Sequence, residues 1–303
     1  MEDVPSVDPA KSPGRLLRAG DEASNDRPLL TWYHGALGQR VELSARTFGN
    51  WVAKTANLLV EELGLGPGDR VGLLLPSHWQ APVALAACWR AGASAVPAGP
   101  GVEPAAAGAL LAEAACAACF VHEELLAEVP ARFAGAAPPL LAVTGDPLGR
   151  AAIDLGGALP FARLAASMPD HFDGEEPAAG TEALLLAGPR GPRPWTQGEL
   201  VEAALELGER LGLGDGVRLY SGLGLDSADG VLAGVALPLV RGAGVVLERD
   251  PDRAALAKRL ADERVTVAIL TSGQATAVRS APDPELGVRV VEAPLTGGSF
   301  RRP

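Results

Sequence analysis

Leu63-Gly64-Leu65-Gly66-Pro67-Gly68-Asp69-Arg70-Val71 reads as the end of a helix, a tight turn and the start of a strand. Gly64 is the residue type that closes a helix in the left-handed conformation, and Gly-Pro-Gly-Asp is turn chemistry. The same plan recurs as Leu211-Gly212-Leu213-Gly214-Asp215-Gly216-Val217. Further on, Arg90-Ala91-Gly92-Ala93 and Arg241-Gly242-Ala243-Gly244 both read as a helix end feeding a strand. Two matches in the same order, about 150 residues apart, point to a duplicated unit.

Outward from that stretch the pattern is regular. Leu29–His34 and Arg40–Ser44 flank Gly35-Ala36-Leu37-Gly38 as a hairpin. Thr47 is placed to cap a helix whose Phe48, Trp51, Val52, Thr55, Leu58, Leu59 and Leu63 share one face. A strand over Val71–Leu75, a helix over Ala81–Ala91 and a strand over Ala93–Pro97 follow. Strand-like apolar runs continue at Ala117–Val121, Leu140–Thr144, Ala183–Ala187, Arg218–Ser221, Gly244–Glu248, Val265–Thr271 and Val288–Val291. Short continuous apolar runs separated by helices predict an α/β fold: two similar subdomains with mostly parallel sheets flanked by helices. Residues 1–28, with four prolines among charges, read as a loose tail, 29–168 as the first subdomain, and 181–303 as the second. Between them, 169–180 carries Asp170, Asp173, Glu175 and Glu176 and reads as an exposed acidic linker.

Composition excludes several classes. With 26 basic and 37 acidic residues the formal charge is −11, which argues against a nucleic-acid partner. The longest weakly charged stretch, 104–121, is alanine-rich and too poor in Leu and Ile to span a bilayer, and the N-terminus shows no secretory signal. Three cysteines make no disulfide framework. A soluble, cytoplasmic protein with no membrane association is the expectation.

The order of elements from Thr47 to Pro97, with Gly-Pro-Gly-Asp-Arg-Val, Leu-Pro-Ser and Ala-Gly-Ala at its junctions, resembles the N-terminal part of the adenylate-forming (AMP-binding) superfamily. That superfamily holds acyl-CoA synthetases, luciferases and peptide-synthetase adenylation domains. Asn50–Leu59 and Leu75-Pro76-Ser77-His78-Trp79-Gln80 look like a bacterial family of short homologues of those enzymes. The resemblance implies the duplicated α/β fold and, in full enzymes, ATP-dependent formation of an acyl-adenylate from a carboxylic acid. Their phosphate loop is rich in Ser, Thr and Gly and ends in Pro-Lys. Here the corresponding stretch is Leu186-Ala187-Gly188-Pro189-Arg190-Gly191-Pro192-Arg193-Pro194-Trp195-Thr196. Three prolines donate no N–H, no hydroxyl occurs from 187 to 195, and the lysine is missing. Gly188, Arg190, Gly191 and Arg193 remain as a degenerate phosphate site, since arginine is a good bidentate phosphate donor. The aromatic-Gly-x-Thr-Glu motif, the ribose-binding aspartate and the C-terminal domain with its catalytic lysine have no counterpart in these 303 residues. The expectation is therefore a homologue without ligase activity, holding no cofactor unless ATP or AMP binds through Arg190 and Arg193. It would act on a small ligand or on a protein partner that supplies the missing domains.

Other candidates weigh less. His78 and Trp79 follow a strand's carboxyl end, where parallel-sheet proteins place ligands, and are retained as candidate ligand-binding residues. The four histidines are scattered along the chain with no metal-ligand spacing, and His171 reads as solvated loop. Cys116-Ala117-Ala118-Cys119 lies in an apolar run and reads as buried filler, not a metal or redox pair. Ser77, Ser221 and Ser272 end strands without a G-x-S-x-G turn, so no hydrolase triad is expected and no catalytic residue is assigned.

Overall fold

A computed structural model describes residues 28–132, 138–148, 155–188, 191–214, 216–280 and 287–295. The tail expected over 1–28 lies outside them, apart from Pro28, which opens the first strand. The chain runs β1 (Pro28–His34), β2 (Gln39–Ser44), α1 (Ala45–Asn57), β3 (Arg70–Leu74), α2 (Gln80–Ala91), β4 (Ser94–Pro97), α3 (Pro104–Ala114), β5 (Ala118–His122), β6 (Leu140–Val143), β7 (Leu159–Pro160) and α4 (Phe161–Ser167). It continues through β8 (Glu182–Leu186), β9 (Arg193–Thr196), α5 (Gln197–Arg210), β10 (Arg218–Ser221), α6 (Ala228–Val231), α7 (Leu237–Arg241), β11 (Gly244–Arg249), α8 (Leu256–Asp262), β12 (Val267–Leu270), α9 (Ser272–Arg279) and β13 (Arg289–Glu292).

These strands form two sheets, in the orders β13-β12-β10-β11-β1-β2 and β7-β6-β5-β3-β4-β8-β9. Every pairing is parallel except within the two edge hairpins, β1–β2 and β8–β9. The α/β class with two mostly parallel sheets is therefore what the apolar runs foretold. The boundary drawn at 169–180, however, does not separate the sheets. Hairpin β1–β2, from the first half, pairs with β11 of the second; hairpin β8–β9, from the second half, pairs with β4 of the first. Each half lends its opening hairpin to the other's sheet. Hairpins stay in register through their own turns, so a local sequence signal cannot say which distant strand they will edge.

The duplicated turns behave alike. Gly64 and Gly212 take φ of +66° and +53°, and Gly92 and Gly242 take +77° and +59°, all left-handed helix exits that favour glycine. Helix α1 begins at Ala45, capped by Ser44, whose Oγ accepts the Thr47 N–H at 3.1 Å. The cap thus lies three residues before the Thr47 anticipated. Its counterpart α5 is capped by Thr196 in a full capping box with Glu199.

Helix α2 lies entirely inside, every residue from Gln80 to Ala91 buried. Its Trp89 indole N–H donates to the Ala183 carbonyl at 3.0 Å, and Gln197 Nε2 donates to the Trp89 carbonyl at 3.0 Å. The segment 168–180 is not a free linker. Asp170, Asp173 and Glu175 are exposed, but Phe172 and Pro177 are buried. Lys54 Nζ donates to the Met168 carbonyl at 2.5 Å, and Asn57 Nδ2 donates to those of Pro169 and His171 at 3.0 and 2.8 Å. Arg90 Nη2 donates to the Phe172 carbonyl and stacks over that ring. Among the described residues, no helix is long and apolar enough to cross a membrane.

Candidate functional site

Strand alternation decides what reaches the carboxyl ends. On β1, Leu30 and Trp32 point into the main core while Tyr33 points into another, so His34 continues the inward row. On β5, Ala118 and Phe120 point into the main core and Cys119 and Val121 away from it, which puts His122 on the inward row. Arg249 is paired with His34 at the end of β11. His78 arrives from the turn after β3 and precedes α2. Three of the four histidines, scattered in sequence by 44 residues each, thereby meet where both sheets end.

The cluster is tightly built. The His78 ring centroid lies 4.6 Å from Trp32, edge-on, and 6.3 Å from His122. Trp32 and His34 are 6.1 Å apart, and Trp51 packs edge-on against Trp79 at 5.3 Å. One apolar core runs through both sheets, and at this cluster three polar contacts also join them. The Trp32 indole N–H donates to the Ser77 carbonyl at 3.0 Å, Arg249 Nη1 lies 3.5 Å from His122 Nε2, and Arg249 Nη2 donates to Glu124 Oε2 at 2.6 Å. His78 Nδ1 accepts the Gln80 N–H at 3.3 Å, leaving Nε2 as the neutral ring's donor; that atom is buried without a partner, as is His34 Nδ1.

Burial, more than any neighbour, holds all three imidazoles neutral. His78 is pushed down to about 3, with His122, Arg249 and His34 adding repulsion against weak attraction from Asp146. His34 is lowered by burial and Arg249, against Asp250 and Glu124. His122 is lowered by burial, with Glu124 and Glu123 pulling the other way. Among the described residues no group of three or more His, Cys, Asp or Glu could hold a metal ion.

A second junction lies beside the first. Asp226, in the turn after β10, presses its carboxylate into the glycine-rich turn after β4, so closely that a Cβ on Gly101 would sit 2.3 Å from Asp226 Oδ2. The carboxyl ends of the two sheets therefore meet at this junction, with His78 and Trp79 beneath it. Both of these candidate residues are buried: His78 has no exposed surface, and the Trp79 indole N–H is bonded to the Pro147 carbonyl at 3.1 Å.

The degenerate phosphate loop is the turn of hairpin β8–β9. Gly191 N–H donates to the Gly188 carbonyl at 3.1 Å, closing the turn on itself, and Arg193 pairs with Leu186. Gly188, Gly191 and Arg193 are exposed, with the Arg193 guanidinium 4.0 Å from the Trp195 ring centroid. Arg190 lies outside the described residues. A triphosphate needs converging N–H donors and a free cation. Here one glycine amide is already bonded, prolines occupy 192 and 194, and the described arginine stacks on its own strand, so the described residues of this loop do not fit that group. The remaining candidates are placed simply. His171 is exposed and 3.7 Å from Asp173. Cys88, Cys116 and Cys119 are buried free thiols, and Ser221 is buried.

Sequence reasoning did not assemble His34, His122, Arg249 and Trp32. The usable signal was their position, each histidine and the arginine falling at the end of an apolar run predicted to be a strand.

This two-sheet arrangement is that of the N-terminal domain of adenylate-forming enzymes. The chain superposes on a protein from Rhodopseudomonas palustris described as a long-chain-fatty-acid CoA ligase with a TM-score of 0.78, at 19% identity over 93% of this chain and 70% of that one. ATP-bound MatB from the same organism gives 0.71 at 18%, and a benzoate CoA ligase from Burkholderia xenovorans 0.73 at 20%. This chain covers 52% of each of the latter two, so it spans about half their length. The AMP-binding enzyme family matches over residues 17–158. A TIGR03089 family protein of Mycobacterium tuberculosis is 32% identical over 262 residues, covering 85% of this chain and 98% of the relative. The chain belongs to that family, within the AMP-binding, acyl-CoA synthetase-like superfamily.

Proposed function

We propose that this protein binds a small ligand or a partner protein where the carboxyl ends of its two sheets meet and does not form acyl-adenylates by itself. One observation carries the reading. The loop that would cradle a nucleotide's phosphates is a hairpin turn closed by Gly191, flanked by Pro192 and Pro194, with Arg193 stacked on Trp195. Ligands of open parallel sheets lie outside the carboxyl strand ends, and two polar junctions meet there in this fold. The absence of catalytic function is a statement about this site, since fold alone does not specify chemistry.

The second reading is ATP-dependent adenylation, or nucleotide binding by a subunit completed by another chain. What favours it is the exposed Arg193 guanidinium, a donor able to grip phosphate once it leaves the Trp195 ring. ATP–pyrophosphate exchange with a panel of carboxylic acids separates the two. The first reading expects no exchange, with or without co-purified proteins. Exchange that disappears in Arg190→Ala and Arg193→Ala would overturn it.

A further inference from the structure

We propose that the outer edge of β2 is a dimerisation surface, where a second copy of this chain pairs antiparallel about a two-fold axis through Val41. An edge strand presents a row of unpaired backbone N–H and C=O groups, a template for another strand. The two sheets have four such edges, β13 and β2 on one and β7 and β9 on the other. Three of them are blunted. β7 has two residues and ends in Pro160, and β9 has four with Pro194 among them. β13 also has four, its end residues tied down, Arg289 to the Leu211 carbonyl and Glu292 to Arg279. A proline donates no N–H, and a short edge offers few bonds. β2 runs for six residues, Gln39-Arg40-Val41-Glu42-Leu43-Ser44, without proline or lysine. Among the described residues no strand pairs with its outer side.

The register follows from the side chains. Residues directly opposite each other in a sheet share a face. On β2, Val41 and Leu43 face the main core, so Gln39 shares their row. Arg40 and Glu42 stand on the other face, opposite Tyr33 and Thr31 of β1. Their side chains are 40% and 38% exposed and pair with each other. A dyad through Val41 sets Arg40 of each copy opposite Glu42 of the other, Val41 opposite Val41, and Gln39 opposite Leu43. Opposite charges then meet twice per dimer, and a half-buried valine gains an apolar neighbour. Moving the dyad to Arg40 or to Glu42 brings like charges face to face, and placing it between residues sets charged side chains against apolar ones. Among registers that pair the middle of the strand, the Val41 dyad alone matches both rows. Residues 39–43 of two copies form about four to six backbone hydrogen bonds, whichever set of β2 amides faces outward. The two six-stranded sheets become continuous, with α1 of each copy on the same side.

Charged residues on an edge ordinarily keep sheets apart, because a second copy meets its own sign. Here the two signs alternate about Val41, so the same side chains favour self-pairing and disfavour its slipped registers. The net charge of −11 on each copy repels at longer range, and one strand is a small interface. The dimer is therefore expected in the micromolar range. It does not rest on the ligand reading above, and its test uses neither ligand nor nucleotide.

The test is the mass of the full chain in solution, by sedimentation velocity between about 1 and 500 µM. The mass is expected to rise with concentration from 30.9 kDa towards twice that value. Arg40→Glu and Glu42→Arg each bring like charges together at both contacts and should weaken dimerisation about tenfold. Mixed in equal amounts, the two variants should associate with each other, since every charge then meets its opposite. A role confined to one chain does not produce that recovery. Arg40 also bonds to Tyr33 and Glu263, so Arg40→Glu is the variant more exposed to misfolding. Should it fail to fold, Glu42→Arg and hydrogen–deuterium exchange of the wild type decide. Protection over 39–44 should then rise with concentration while 197–210 in α5 stays unchanged. A chain that remains monomeric at the highest concentration, a dimer indifferent to Glu42→Arg, or one that leaves 39–44 unprotected would overturn the proposal.

Discussion

The two hairpins β1–β2 and β8–β9 occupy matching edges of matching sheets, yet their turns have taken opposite characters. The first ends in His34, which is buried with Trp32 behind it and Arg249 beside it. The second carries Gly188 and Gly191 out into solvent and stacks its arginine on its own tryptophan. The strands after the hairpins repeat the contrast. The turn after β3 buries His78 and Trp79, while the turn after β10 leaves Gly222, Leu223 and Asp226 half-exposed and Gly224 exposed. One duplicated framework thus carries a buried, histidine-bearing turn and a more exposed, glycine-rich one. The difference teaches that the framework is fixed by the apolar rows, whereas the residues just past the strand ends are free to diverge.

Cutting the chain tests the exchange of hairpins most severely. Expressed separately, 29–168 and 181–303 each lack the edge that seals their sheet, and neither should show a cooperative thermal transition. Co-expression should restore one, and two independently melting fragments would refute the reciprocal docking. Next in size is Trp89→Ala, expected to destabilise by about 3–5 kcal/mol because the ring is wholly buried in α2. Val240→Ala, in the partly exposed counterpart α7, should cost about 1 kcal/mol. Equal costs from denaturant melts would mean the halves are packed alike.

Acid comes third. Because His34, His78 and His122 have folded values below 6.5, the unfolded chain binds more protons between those values and 6.5. Stability is full above 6.5 and falls as pH drops, by about 1.4 kcal/mol per pH unit for each histidine not yet protonated in the fold. Urea melts of wild type and His78→Gln from pH 7 to 5 measure this, and parallel slopes would exclude His78. The smallest effect belongs to Arg193→Ala at the second hairpin. An exposed cation–π pair contributes about 0.5–1 kcal/mol, so its melting midpoint should barely move.

The alternation of helices and apolar strands was legible because burial on both faces of a parallel strand writes an uninterrupted apolar run, and because Gly64, Gly92 and their echoes mark helix exits at the backbone level. The cap of α1 was misread by three residues, since Ser44 and Thr47 are both competent caps and only the end of β2 selects the earlier one. The segment 169–180 looked like a linker from its acidic side chains; its anchoring runs through backbone carbonyls, which leave no trace in composition. The phosphate loop's loss of donors was visible directly, as proline is a property of the residue and not of its surroundings.

The amino-acid order alone thus determined which segments are strands and helices, the doubling of the plan, and the poverty of donors at 188–194, all matters of local periodicity and covalent chemistry. The folded chain alone decided that each half would lend its hairpin to the other and that His34, His78, His122 and Arg249 would share one buried cluster. Those contacts join residues far apart along the chain, through packing rows that no local window contains.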